Sequence, residues 1–251
     1  MLPPFKRLGV FLSGGLDSTA LLLLAVRAVG ASSIVALTAA TELAEGWEQE
    51  ASAELCGKLG VLHVPVEVSV LAVPEIKANG PSRCYHCKRL LCAALMAAGR
   101  ARGVDLFCDG STAEDSPEDR PGMTAAMELG VHSPLAAIGL RREDIRRIVQ
   151  GEFPELRLVR GSCMATRTGQ GIELDAHMIG RLRALEKSIR SLGLPLVRAR
   201  WDGVRVKLQT ASGHVDRATN LRVALDALAF AHGFDQLVID LNGYSGEQLP
   251  V

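Results

Sequence analysis

Short apolar runs alternate with longer stretches of helical period through the first half of the chain. Arg7 to Leu12 reads as a buried strand, Ser18 to Val29 as an apolar helix and Ile34 to Thr38 as a second strand. Gly46 to Leu59 has helical periodicity: Glu50, Glu54 and Lys58 form a polar stripe, with Ala53 and Leu55 among the apolar positions. Val61 to Val66 is a third strand, Arg89 to Arg102 a helix and Val104 to Cys108 a fourth strand. Strands separated by helices predict an α/β fold with a doubly wound parallel sheet. Ligands on such sheets bind beyond the carboxyl ends of the strands. The loop at Ser13, Thr38 and the pair Asp109-Gly110 all fall at such ends.

The pattern then loosens. Asp109 to Pro134 reads as a long loop rich in Ser, Asp, Glu, Pro and Gly, of a length usually reserved for function or disorder. Leu140 to Gln150 is a helix, Leu156 to Val159 a short strand and Gly161 to Gly171 an irregular stretch. Beyond it the order changes. Asp175 to Leu192 is a helix. Leu196 to Trp201 and Val204 to Gln209 form a hairpin around Asp202-Gly203, a strong turn signal between alternating runs. Ala218 to Ala231 is a helix and Gln236 to Leu241 a strand. The expected organisation is a larger α/β domain over residues 1–170 and a small α+β domain over 171–251.

Composition narrows the function. Apolar residues make up 48% of the chain and charged ones 22%, a globular balance with enough apolar side chains for a core. The 28 basic and 28 acidic residues cancel, so no global basic field gathers nucleic acid, and no nucleic-acid partner is expected. The apolar stretch from Leu8 to Gly30 is interrupted by Ser13, Asp17, Ser18 and Arg27. It fits neither a spanning helix nor a signal sequence, so a cytoplasmic protein without a membrane partner is expected.

Ser13-Gly14-Gly15-Leu16-Asp17-Ser18 lies between the first strand and the first helix. Two glycines permit a tight turn and let backbone N–H groups approach an anion. The helix that follows points its positive end at the same place, and Ser13 and Ser18 add hydroxyl donors. Without Gly-Lys-Ser/Thr this is not a Walker A loop, and it has no lysine to grip terminal phosphates. The hexapeptide in this context resembles the loop of the N-type ATP pyrophosphatases, the PP-loop family, which cleave ATP between the α and β phosphates and transfer AMP to a substrate oxygen. The resemblance implies ATP and Mg²⁺ as cofactors, Asp17 near the metal or pyrophosphate and Thr38 near the adenine.

Six cysteines punctuate the chain. Cys56, Cys92 and Cys108 sit in apolar patterns and read as small buried hydrophobes. Cys84 and Cys87 form a Cys-x-x-Cys in Arg83-Cys84-Tyr85-His86-Cys87-Lys88, ahead of a helix, and Cys163 lies in an irregular segment where a thiol is expected to be accessible. A zinc site wants four ligands and these are three. A redox pair, a structural pair, and a three-cysteine [4Fe–4S] cluster with one open iron all remain compatible with the spacing.

Along nearly its whole length the chain resembles the LarE family of ATP-dependent sulfurtransferases of nickel-pincer nucleotide biosynthesis. The matches are SGGLDS (13–18), the region Trp47 to His63, RCYHCK (83–88), Asp109-Gly110-Ser111-Thr112, Arg120-Pro121-Gly122 and Ser133-Pro134-Leu135. They continue in Cys163-Met164-Ala165-Thr166-Arg167, Val197-Arg198-Ala199-Arg200 and Asp240-Leu241-Asn242-Gly243-Tyr244. The resemblance implies a small-molecule substrate, pyridinium-3,5-biscarboxylic acid mononucleotide, whose ring carboxylate is adenylylated and converted to a thiocarboxylate in a homo-oligomeric enzyme. In one branch of the family the cysteine at the position of Cys163 surrenders its own sulfur. In another, cysteines matching Cys84, Cys87 and Cys163 hold a [4Fe–4S] cluster that delivers sulfide, and the presence of all three favours this branch. Arg198 and Arg200, two apart on a strand and so on one side, would hold the substrate phosphate, with Glu186 close by. The chain departs from the pattern at Ala113, where the family has asparagine, and after Tyr244, where Ser245-Gly246 lacks an expected arginine. A tRNA-thiolating PP-loop enzyme, an ammonia-dependent amidotransferase or ligase, and a nucleotide-sensing or Fe–S carrier protein are the alternatives.

Overall fold

The computed structural model describes residues 2–116, 121–154 and 162–244. The chain divides into two compact units, residues 1–70 with 82–161, and residues 71–81 with 162–251. The expected strand from Leu156 to Val159, and the motif residues Arg120, Gly161, Ser245 and Gly246, lie outside the described residues.

In the first unit β1 (Leu8–Phe11), β2 (Ile34–Ala40), β3 (Leu62–Glu67) and β4 (Leu106–Cys108) form a parallel sheet in the order β3-β2-β1-β4. The register pairs Val10 with Ala36 and with Cys108, and Leu37 with Val64. Val10, Ile34, Val35, Ala36 and Leu37 are all fully buried, as expected of central strands covered on both faces. One face carries α1 (Leu16–Val29) and α2 (Glu48–Leu59), with Leu22, Leu55 and Cys56 joining Val10 and Ala36 in one core cluster. The doubly wound α/β sheet is therefore as expected.

Between β3 and the next helix of this unit lies α3 (Pro74–Lys77), which belongs to the second unit. The other face of the sheet is covered by α4 (Arg83–Arg100), whose Cys92, Leu95 and Met96 pack with Phe11, Leu37 and Phe107. A Cβ on Gly99 would come 2.6 Å from the Phe107 ring, so the helix approaches β4 through a missing side chain. α4 begins six residues earlier than periodicity predicts, at Arg83 instead of Arg89, so Cys84 and Cys87 stand in its first turn. The expected loop from Asp109 to Pro134 contains α5 (Pro121–Glu128), started by Pro121 and burying Ala125 and Ala126. α6 (Pro134–Ala137) and α7 (Arg142–Glu152) complete the unit, with Ile145 and Val149 buried.

The second unit is built on α8 (Ala176–Arg190), β5 (Val197–Trp201) and β6 (Val206–Thr210), followed by α9 (Val215–Asn220), α10 (Arg222–Ala231) and β7 (Leu237–Ile239). Asp175 caps α8 by accepting from the Met178 N–H at 2.7 Å. β5 and β6 pair antiparallel, Val197 opposite Thr210 and Trp201 opposite Val206, and β7 adds parallel to β6. The Asp202 carboxylate closes the turn by accepting from the N–H groups of Val204 and Arg205, at 3.1 and 2.9 Å. Residues 71–81 join this unit through backbone bonds: Leu174 N–H donates to Lys77 O at 2.7 Å and Gly171 N–H to Asn79 O at 3.0 Å. Among the described residues no helix is long and apolar enough to cross a membrane.

Candidate active site

The first unit presents its loop where a βα turn should. Gly14, at φ 72°, makes the left-handed turn that a side chain would resist, and a Cβ there would meet the Glu48 carbonyl oxygen at 3.1 Å. α1 starts after Gly15 with no side chain capping it. Its first N–H groups are left without partners in the helix, which is the usual anion-binding geometry. Inside the turn, Ser13 N–H donates to Ser18 Oγ at 3.1 Å and Ser18 Oγ donates to Gly15 O at 3.1 Å. Ser18 is thus buried and occupied in shaping the loop, whereas the exposed Ser13 hydroxyl lies 3.1 Å from Ser18 Oγ at the mouth. Asp17 is half-buried in the first turn of α1.

Three further groups surround this turn. Thr38 is buried and its hydroxyl donates to Leu12 O at 2.8 Å. Asp109, at the end of β4, is buried; its carboxylate meets Lys88 Nζ at 3.0 Å and accepts from Ser133 Oγ at 2.8 Å and Ser111 N–H at 3.2 Å. Burial alone would raise the Asp109 carboxyl, but the Lys88 ammonium and these hydrogen bonds outweigh it and hold the group below the ordinary carboxylate value. Gly110 follows: a Cβ there would sit 2.8 Å from Ser18 N and 2.9 Å from the Asp17 carbonyl carbon. Backbone beyond β4 therefore lies directly on the start of α1. Lys88 was visible only as part of a motif, and periodicity alone carried no signal of its bond to Asp109.

The six thiols separate by environment. Cys56, Cys92 and Cys108 are buried, and burial pushes their thiols up to about 11, about 11 and about 12. At neutral pH they are inert small hydrophobes, as expected. Cys84 is exposed and Cys87 half-buried, three residues apart and so on one side of the first turn of α4. Gly122 packs against this turn, its virtual Cβ 3.3 Å from Cys84 O and 3.1 Å from Lys88 Cβ, which gives the Pro121-Gly122 pair a packing reason.

Cys163 belongs to the second unit and is exposed. It precedes a 3₁₀ turn over Met164–Arg167, and both Thr166 N–H (2.9 Å) and Thr166 Oγ1 (2.8 Å) donate to its carbonyl. The turn is anchored by Arg167, which is wholly buried. Arg167 Nη1 donates to Ser162 Oγ at 2.6 Å and Arg167 Nε to Glu186 Oε1 at 2.7 Å. Glu186 is buried too, and also accepts from Ala199 N–H at 2.8 Å and Arg190 Nη2 at 2.9 Å. Its carboxylate is committed to the framework behind Cys163.

Arg198 is buried, and its Nη1 donates to Val197 O. Arg200 is half-buried, donating to Gln209 Oε1 and Thr166 O at 2.7 Å each. Arg200 also lines a cleft of about 400 Å³ together with Trp201, Arg205, Lys207 and Thr168. Among the described residues, no group of three or more His, Cys, Asp or Glu is arranged to hold a metal ion.

Comparison with known proteins follows the same lines. A family model described as asparagine synthase matches residues 5–79, the stretch that contains the loop and the first three strands. The pyridinium-3,5-bisthiocarboxylic acid mononucleotide synthase of Lactiplantibacillus plantarum is 27% identical over 97% of this chain and 88% of that protein. An uncharacterised protein of Synechocystis is 29% identical over 94% of this chain and 89% of its own length. One from Methanocaldococcus jannaschii is 25% identical over 71% and 70%. The resemblance read from the motifs thus extends over nearly the whole chain, which is similar to the Lactiplantibacillus plantarum synthase, with a PP-loop family match over the stretch that carries the loop.

Proposed function

We propose that the protein uses ATP and Mg²⁺ to adenylylate a ring carboxylate of a pyridinium dicarboxylate mononucleotide and then replaces the activated oxygen with sulfur. Homology over nearly the full chain supports the substrate class, and the PP-loop supports ATP as the activating reagent. The observation that carries the sulfur step is the separation of the thiols: three are buried, while Cys84, Cys87 and Cys163 are left wholly or partly accessible.

The chemistry balances without a redox partner. The substrate carboxylate attacks the α-phosphorus of ATP, a P–O bond breaks and pyrophosphate leaves. The Ser13–Ser18 loop, with the N–H groups that open α1, would hold the departing pyrophosphate, and Asp17 the magnesium. A sulfur nucleophile then attacks the acyl carbon and AMP leaves. On the route through Cys163, the thiolate forms a thioester. Loss of the Cys163 Cα proton and cleavage of its Cβ–S bond then release the thiocarboxylate and leave dehydroalanine. Arg198 and Arg200 would hold the substrate phosphate, the cationic cleft beside Arg200 supporting this, and Glu186 would act behind them.

The family resemblance, not the geometry, would assign Cys84, Cys87 and Cys163 to a [4Fe–4S] cluster, in which three ligands leave one iron open. Such a cluster, when bound, would supply an exchangeable sulfide and spare Cys163. The reading takes the enzyme as a cytoplasmic homo-oligomer acting on a small molecule.

The test is an iron and acid-labile sulfide assay on protein purified without oxygen, paired with the mass of the chain after one turnover. About four irons per chain, lost in Cys84→Ala, supports the cluster. No iron together with a loss of about 34 Da supports Cys163 as the sacrificed donor. A Cys163→Ala enzyme that still makes thiocarboxylate at the wild-type rate overturns both routes.

A further inference from the structure

His63 has no role in the chemistry above, yet it ends a continuous run of hydrogen bonds that leads into the phosphate loop. In the parallel register His63 pairs with Ala36, two residues before Thr38 on β2. Side chains two apart share a face, so His63 and Thr38 stand on the same side of the sheet. His63 Nε2 lies 2.9 Å from Thr38 Oγ1. Thr38 has a single hydroxyl proton and gives it to Leu12 O at 2.8 Å. Its lone pair must then accept, so Nε2 carries the proton and donates.

Leu12 C=O and Ser13 N–H belong to one peptide unit. The carbonyl end is held by Thr38, and the N–H end by Ser18 Oγ at 3.1 Å, which itself donates to Gly15 O. The first peptide of the loop is therefore gripped on both sides, with three parallel strands contributing. A peptide plane held at both ends cannot rotate without breaking a bond, and hydrogen bonds in series strengthen each other. Remove the histidine and Thr38 is freer to turn its hydroxyl away from Leu12. The N–H groups beyond Ser13 then lose their fixed aim.

We propose that His63 is a positioning residue of the phosphate loop, acting through Thr38 on the Leu12–Ser13 peptide, and that it sets the affinity for the triphosphate of ATP. The proposal rests on the reading of this loop as the ATP site. Its test is calorimetric titration of the full chain with ATP and Mg²⁺, alongside KM for ATP and kcat for pyrophosphate release.

His63→Ala should weaken ATP binding and raise KM by roughly five- to tenfold, the worth of about one lost hydrogen bond, with kcat little changed. His63→Gln, whose amide can donate from nearly the same point, should restore most of the loss. Thr38→Val should match His63→Ala, and the double variant should be no worse than Thr38→Val alone, because both cut the same string. Unchanged ATP affinity in His63→Ala, failure of glutamine to rescue, or losses that multiply in the double variant would each overturn the assignment. A wild-type chain that binds no ATP overturns the ATP reading and this one together. Wild-type binding matched by His63→Ala overturns this one alone.

Discussion

Glu186 looked on sequence like a surface glutamate of a helix, distinguished only by a family match. Its carboxylate is buried and accepts from two arginines and one backbone N–H. Charges so placed rely on each other, and deleting one partner strands the other. Glu186→Ala should therefore cost about 3–5 kcal/mol in urea unfolding. Arg190, one turn on and partly exposed, should cost much less when truncated, within about 1 kcal/mol. Comparable losses for the two would mean that the buried pair with Arg167 is not what anchors the Cys163 turn. His63 gives a second expectation at this scale. Burial holds its ring below the ordinary 6.5, so the folded chain resists the proton that the unfolded chain accepts. Stability from this group is present above 6.5 and falls as the pH drops from there toward the folded value. His63→Gln should flatten that part of the stability–pH curve, as followed by thermal melts. A curve of unchanged slope would place the titrating group elsewhere.

Elements were legible where an apolar period ran unbroken, and obscured where a helix began with polar residues. α4 starts at Arg83, and the turn holding Cys84, Tyr85, His86 and Cys87 carries no apolar stripe of its own, so periodicity found the helix only from Arg89. α5 was hidden for a similar reason: eight residues from Pro121 to Glu128, with Met123 and Met127 the large apolar ones, bury two alanines and give a weak pattern. The SGGLDS turn, by contrast, was legible because each of its residues has a local reason. What could not be read was the contact between elements, such as Lys88 with Asp109 or His63 with Thr38, since neither pair is near in sequence. Gly110 belongs to the same class of hidden contact. Its virtual Cβ falls within 3 Å of backbone atoms of Asp17 and Ser18, which no rotamer change can relieve. Gly110→Ala should push the end of β4 from the start of α1, weakening ATP binding at least tenfold while the far-ultraviolet spectrum stays native. An alanine variant with wild-type ATP affinity would mean that this approach does not shape the loop.

At the scale of the molecule, the parallel sheet followed from alternating strands and helices, and the small mixed sheet from the Asp202-Gly203 hairpin signal. The 28 basic and 28 acidic residues balance over the whole molecule, and the cleft beside Arg200 is lined by Arg205 and Lys207 together with Asp202. The segment from Leu71 to Pro81 had no such signature, because backbone bonds to Lys77 and Asn79 leave no trace in side-chain pattern. Its consequence is topological. Asn79, wholly buried with a left-handed backbone at φ 53°, and Ile76, equally buried, are synthesised long before Gly171 and Leu174, to which their segment bonds. On the ribosome this stretch must wait, unpaired, while some eighty residues of the other unit are made around it, and a cut after residue 161 would leave it waiting permanently. No single cut separates the two units, so the loop that would bind ATP and the cysteine that would give or carry sulfur stand on one interleaved chain.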